Sequence, residues 1–60
     1  MSDEDFRAKQ ERAQRYRRYG LEAARLAMEA PPELKVHYLK LAQHWAKLSE
    51  SVEEEMKRAE

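Results

Sequence analysis

Leu34, Tyr38, Leu41, Trp45, Leu48 and Val52 recur at four-three-four-three-four spacing. Steps of three and four bring a chain round about one helical turn, so all six share one side of a helix. Lys35, Lys40, Gln43, Lys47, Glu50 and Glu54 fall mainly on the other side. The pattern predicts a helix from about residue 32 to about residue 58. Leu39, Ala42 and Ala46 widen its apolar face along one edge, and His37 and His44 widen it along the other. Beyond Val52 the ladder weakens. Glu55 is expected at the next core-like position with Met56 beside it, and the last few residues are expected to fray.

An earlier stretch, from about residue 3 to about residue 29, has the same helical character. Ser2 followed by Asp5 resembles a capping box, with aspartate in place of Glu or Gln. Asp3, Glu4 and Asp5 place negative charge where a helix N-terminus favours it. In the first half of this helix, Phe6, Ala13 and Tyr16 are isolated apolar points. In the second half, Gly20, Ala23, Ala27 and Ala30 recur at three-four-three spacing on the face of Tyr16. Small side chains there let another helix come close, although Gly20 costs roughly 1 kcal/mol of helix propensity relative to alanine. Tyr19 and Leu26 flank one edge of the strip, and Leu21 and Met28 flank the other.

Pro31 and Pro32 separate the two stretches. Pro31 disfavours helical dihedrals at Ala30 and ends the first helix. Pro32 suits the first turn of the second, and Glu33 adds a favourable charge there. So short a connection makes the helices antiparallel neighbours. The predicted fold is all-α: one domain over residues 1–60, a two-helix antiparallel hairpin. Each apolar arc is wider than one partner helix covers. The hairpin is therefore expected to dimerise into a four-helix bundle, through the isologous two-fold contact commonest among oligomers.

Composition sharpens that expectation. A chain of 60 residues buries too little surface to offset its conformational entropy comfortably. Cysteine is absent, which removes disulfides and thiolate metal sites as staples and leaves helix packing and association. The acidic start lacks the basic and apolar runs of a secretory signal, and no apolar run approaches the roughly 20 residues that cross a bilayer. The expected setting is the cytoplasm. Lys plus Arg and Asp plus Glu both total 12, so no net charge draws the chain to nucleic acid or anionic membrane. The distribution is uneven, however. Arg7, Lys9, Arg12, Arg15, Arg17 and Arg18 crowd the first helix, and Glu50, Glu53, Glu54 and Glu55 crowd the second. Folding at the prolines sets these blocks side by side, which favours the antiparallel hairpin over its alternatives.

Candidate chemistry is sparse. His37 and His44 stand seven residues apart, about 10 Å along a helix, whereas metal sites on one helix use spacings of three or four. They read as boundary histidines, and no metal or cofactor is expected. Trp45, inside an apolar ladder, reads as core. Arg15-Tyr16-Arg17-Arg18-Tyr19 is the best nucleic-acid candidate, because arginine pairs with phosphate and tyrosine stacks on unpaired bases. Against it, the same tyrosines suit the core and the same arginines suit the acidic block. No catalytic triad spacing is present, and a single glycine excludes a glycine-rich phosphate loop. No enzymatic activity is expected.

Residues 32–48 have the form P-E-x-x-x-x-Y-L-x-L-A-x-x-W-x-x-L. With the Tyr16 to Ala30 stretch, this resembles a group of short proteobacterial proteins, two-helix hairpins with a Y-L-x-L-A-x-x-W core. The resemblance covers about residues 12–50 and implies a fold, but no activity. In architecture the chain is also similar to the plasmid-encoded repressor of primer, a dimer of helical hairpins that binds paired RNA loops. The two share no motif, and fold does not imply function. The expected core and interface residues are Tyr16, Gly20, Ala23, Ala27, Leu34, Tyr38, Leu41, Trp45, Leu48 and Val52. The expected function is a non-enzymatic bacterial interaction module, adaptor or regulator, whose partner is itself and possibly another protein. The alternative is an RNA- or DNA-binding hairpin dimer using Arg12, Arg15, Arg17 and Arg18.

Overall fold

The computed structural model describes residues 2–58, which form two α-helices and no strand. Helix α1 spans Asp3–Glu29 and α2 spans Pro32–Arg58, each of 27 residues. They lie antiparallel in an elongated pair whose Cα envelope measures 45 × 15 × 9 Å. The all-α hairpin expected from the apolar spacing is therefore present, with the predicted boundaries.

Local chemistry explains the helix ends. The Ser2 hydroxyl accepts the Asp5 amide at 3.2 Å and caps α1. Ala30 adopts φ −79° and ψ 152°, the extended conformation imposed on a residue before proline. The Pro31 carbonyl then accepts the amides of Leu34 and Lys35 at 2.9 and 3.0 Å, so backbone alone starts α2. Lys57 and Arg58 complement the dipole at the end of α2. The last turn of α1 has no basic residue. Its Glu29 is offset instead by Arg25, which bonds Glu29 at 3.2 Å and also grips Glu22. That hydrogen bond, then the charge of Arg25, holds the Glu22 carboxyl below the ordinary carboxylate range. A depressed folded-state value contributes above the unfolded value and is lost as pH falls through the folded one. The pair is fully exposed, so solvent screens this contribution.

The seam follows a strict seven-residue repeat. On α1, Ala13, Ala23 and Ala27 are buried, with Phe6, Tyr16 and Gly20 half-buried between them. On α2, Ser49 and Val52 are buried, with Tyr38, Ala42, Trp45 and Met56 half-buried. Small residues at Ala13, Gly20 and Ala27 leave hollows for the larger Tyr38, Trp45 and Val52. Close approach is visible at Gly20, where a Cβ would sit 3.4 Å from the Trp45 Cβ and 3.5 Å from the Ala42 carbonyl oxygen. Among the described residues, Ser49 is the one buried polar side chain; its hydroxyl lies 3.3 Å from the Ala13 carbonyl and 3.3 Å from a Glu53 carboxylate oxygen.

This seam is rotated from the ladder read along the sequence. Tyr38, Trp45 and Val52 belong to both. Leu34, Leu41 and Leu48 form the ladder's outer edge, and Leu34 and Leu41 stay 48% and 37% exposed. Ala42, Ser49 and Met56 take the inner edge, because small residues at two of these positions let α2 approach α1. The rotation also overturns the expectation for Glu55. Met56 occupies the seam, and Glu55 is exposed and paired with Lys9 at 3.1 Å.

Two substitutions on α1 test this close seam. Gly20→Ala places a methyl at ordinary contact distance and gains helix propensity. It should stabilise the fold by about 0.5–1 kcal/mol and raise the melting temperature by a few degrees. Ala27→Leu overfills a closed position and should destabilise it by about 1–3 kcal/mol. Thermal melts by circular dichroism measure both, and a destabilising Gly20→Ala would contradict the spacing described.

Candidate functional site

The hairpin has two unlike halves. The half away from the turn, residues 3–18 and 44–58, is laced with charge. Arg17 pairs with Glu53 and Lys9 with Glu55, so the basic block of α1 does meet the acidic block of α2. Among the described residues, the half nearest the turn carries every large exposed apolar side chain: Tyr19, Leu21, Met28, Leu34, Val36, Leu39 and Leu41. All seven fall within residues 19–41. Met28 is 82% exposed and Leu21 is 68% exposed, values that no requirement of the hairpin itself explains. Single exposed apolar residues are ordinary, whereas a concentration of them on one half marks an interaction site.

The two broad sides also differ. One is tiled with rings around Trp45. Tyr16 stacks on it at 5.6 Å, and Tyr19 and His44 meet it edge-on at 5.0 and 5.6 Å. Toward the turn His37 meets Tyr38 in the same way at 5.9 Å. Such rings cover apolar surface while presenting a polar tip to water. Leu41 and Leu48, four and eleven residues beyond His37, continue this side.

The opposite side has no such cover. Arg17, Gly20, Leu21, Ala42, Ala46, Ser49, Glu50 and Glu53 line an open groove of about 440 Å³. Gly20, Ala42 and Ala46 make a floor without large side chains. Met28 lies seven residues after Leu21, and Leu39 seven before Ala46, so both extend this side toward the turn.

The expected core and interface residues therefore divide. Tyr16, Gly20, Ala23, Ala27, Tyr38, Trp45 and Val52 meet along the seam or its margins, Leu48 is half-buried on the ladder's outer edge, and Leu34 and Leu41 remain open. Ala13 and Ser49 are buried residues that the ladder did not single out. The signal for Ser49 is the spacing 38-42-45-49-52-56 on α2, in which the small positions give the direction of the neighbour, and the signal for Ala13 is the seven-residue step 13-20-27 on α1.

The arginines divide as well. Arg17 is paired with Glu53. Arg12, Arg15 and Arg18 are exposed and form no ion pair among the described residues. At 100° per residue they fan around α1 rather than lining one groove. Among the described residues no group of three or more His, Asp or Glu side chains is placed to hold a metal ion. Among those residues, too, no helix is long and apolar enough to cross a membrane. Comparison with family models, curated proteins and solved structures finds no match to this chain.

Trp45 is the centre of the ring cluster and meets rings from both helices. Trp45→Ala should cost about 3 kcal/mol, the low end for a buried tryptophan because the ring is only half covered. In a chain this small that loss removes most of the folded population. Urea unfolding followed by helical circular dichroism tests it; an unchanged midpoint would contradict the role given to this ring.

Proposed function

We propose that the chain is a non-catalytic protein–protein interaction module of the adaptor or regulator kind. Its working form is a dimer of hairpins in an antiparallel four-helix bundle, and another protein is engaged through that dimer. The observation that supports this reading is that the seven large exposed apolar side chains among the described residues all fall within residues 19–41. Water-exposed leucine and methionine at this density favour association by about 25 cal/mol for each Å² of apolar surface covered. The small single seam adds a second reason, since a lone hairpin of this length has little core to stabilise it. The resemblance to short proteobacterial hairpins is part of the same proposal and adds no activity to it.

Sedimentation velocity over a wide concentration range tests the reading. The expected result is a concentration-dependent shift from about one chain mass to two, complete by tens of micromolar. A single species of one chain mass, 7.2 kDa, at every concentration would sink it.

The unpaired state of Arg12, Arg15 and Arg18 favours a second reading, binding to RNA or DNA. It requires affinity that falls steeply with salt, because phosphate contacts release counterions. Reversing the charge of Arg15 and Arg18 should then weaken binding at least tenfold. Undiminished binding by that variant, or none by the parent chain at low salt, would remove this alternative.

A further inference from the structure

The two broad sides of the hairpin offer different surfaces to a second copy. Rings with polar tips cover one side around Trp45. On the other, Leu21 stands beside a floor of Gly20, Ala42 and Ala46, with nothing over either. A protruding side chain next to a shallow groove on the same side is self-complementary. Two such surfaces related by a two-fold axis each supply the knob and the hollow that the other lacks.

We propose that a second copy of this chain covers the groove, with the two-fold axis running along the hairpin's length and both turns at the same end. This rests on the dimeric reading above and adds the face and the direction. Apolar distribution, area and charge each favour it.

Among the described residues, the large exposed apolar side chains lie in the half nearest the turn. Turned end for end at full overlap, a partner would press Leu21 and Met28 against a half that carries Arg7, Arg17, Glu50 and Glu54. Sliding two opposed hairpins until only their turn halves overlap would avoid that clash of character, but it halves the contact. A stable interface takes about 800 Å² from each partner. A pair of helices whose Cα envelope is 45 Å long and 15 Å wide supplies so much only along its whole length. The same-end arrangement alone gives full-length contact with apolar half on apolar half.

Charge agrees. In the same-end arrangement, α1 of one copy lies on α2 of the other, at the level it already has with its own α2. The basic stretch of α1 then meets the partner's acidic stretch, repeating between copies the pairing of Arg17 with Glu53 and Lys9 with Glu55. Leu21 faces the partner's Ala42 and Ala46, and Arg17 comes within reach of the partner's Glu50. An end-for-end dimer sets α1 on α1 and loses this match.

Spin labels measure the direction. The chain has no cysteine, so Glu33→Cys beside the turn and Glu54→Cys near the far end each introduce one labelling site. Pulsed double electron–electron resonance on each labelled homodimer should give about 20–35 Å at both positions, a bundle's width plus the label arms. Opposed hairpins at full overlap put Glu33→Cys, twelve residues from the middle of α2, about 36 Å apart along the axis before any lateral offset, and half overlap puts Glu54→Cys beyond about 40 Å; a distance beyond about 36 Å at either position overturns the proposal. Charge insertion tests the face. Leu21→Glu should weaken dimerisation at least about 100-fold, because it buries an unpaired charge. Leu41→Glu, on the ring-covered side, should weaken it less than about tenfold; the reverse order overturns the choice of face. A parent chain that stays monomeric removes the dimeric reading itself, whereas a dimer with the wrong distances removes only this one.

Discussion

The close approach of α1 to α2 at Gly20 is the constraint on which the rest of this structure depends. With a side chain's Cβ position only 3.4 Å from Trp45, the helices meet nearly backbone to backbone there. That closeness requires small residues on α1, and Ala13, Ala23 and Ala27 supply them on either side. It also sets the rotation of α2, turning Ala42 and Ser49 inward and leaving Leu34 and Leu41 outward. A seam built from small residues buries little area per turn, so the surface that could have stabilised the hairpin is displaced to its outside.

That displacement links packing to function. Small seam residues and large outer ones occur together in the half nearest the turn, where Gly20, Ala23 and Ala27 lie inside and Leu21, Met28 and Leu39 outside. In the other half, ion pairs and Ser49 replace apolar bulk, and the outer surface is charged. The hairpin is thus polarised along its length. A charged half fixes the antiparallel pairing, at about 0–1 kcal/mol for each exposed pair. An apolar half seeks cover. Both follow from one sequence arrangement, and neither requires a catalytic or metal-binding group.

Much of the fold was legible in the residues. Two proline rings, a serine cap and two runs of three-four spacing are local signals, and local signals give helix bounds well. The rotation of each helix about its axis was less so. Ranking faces by hydrophobicity favours Leu34, Leu41 and Leu48, but helix contact here is decided by how near two backbones can come. Small size marks several of the inner positions, which is why the apolar pattern does not single out Ser49, leaves Ala13 an isolated point and puts Glu55 at a core-like position beside Met56. The wide apolar arcs were visible from the start. Their concentration at one end appeared only when Leu21, Met28, Leu39 and Leu41 were found open while Val52 and Ala13 were closed.

We propose that two copies of this chain stabilise each other by sharing their apolar halves. A dimer's unfolding equilibrium depends on protein concentration, whereas a monomer's does not. The thermal midpoint, measured by circular dichroism across a hundredfold range of concentration, is the most direct test. The account predicts a rise of several degrees over that range, roughly 1.4 kcal/mol of added dimer stability for each tenfold step. A midpoint that stays constant would show a hairpin folding alone, and would contradict it.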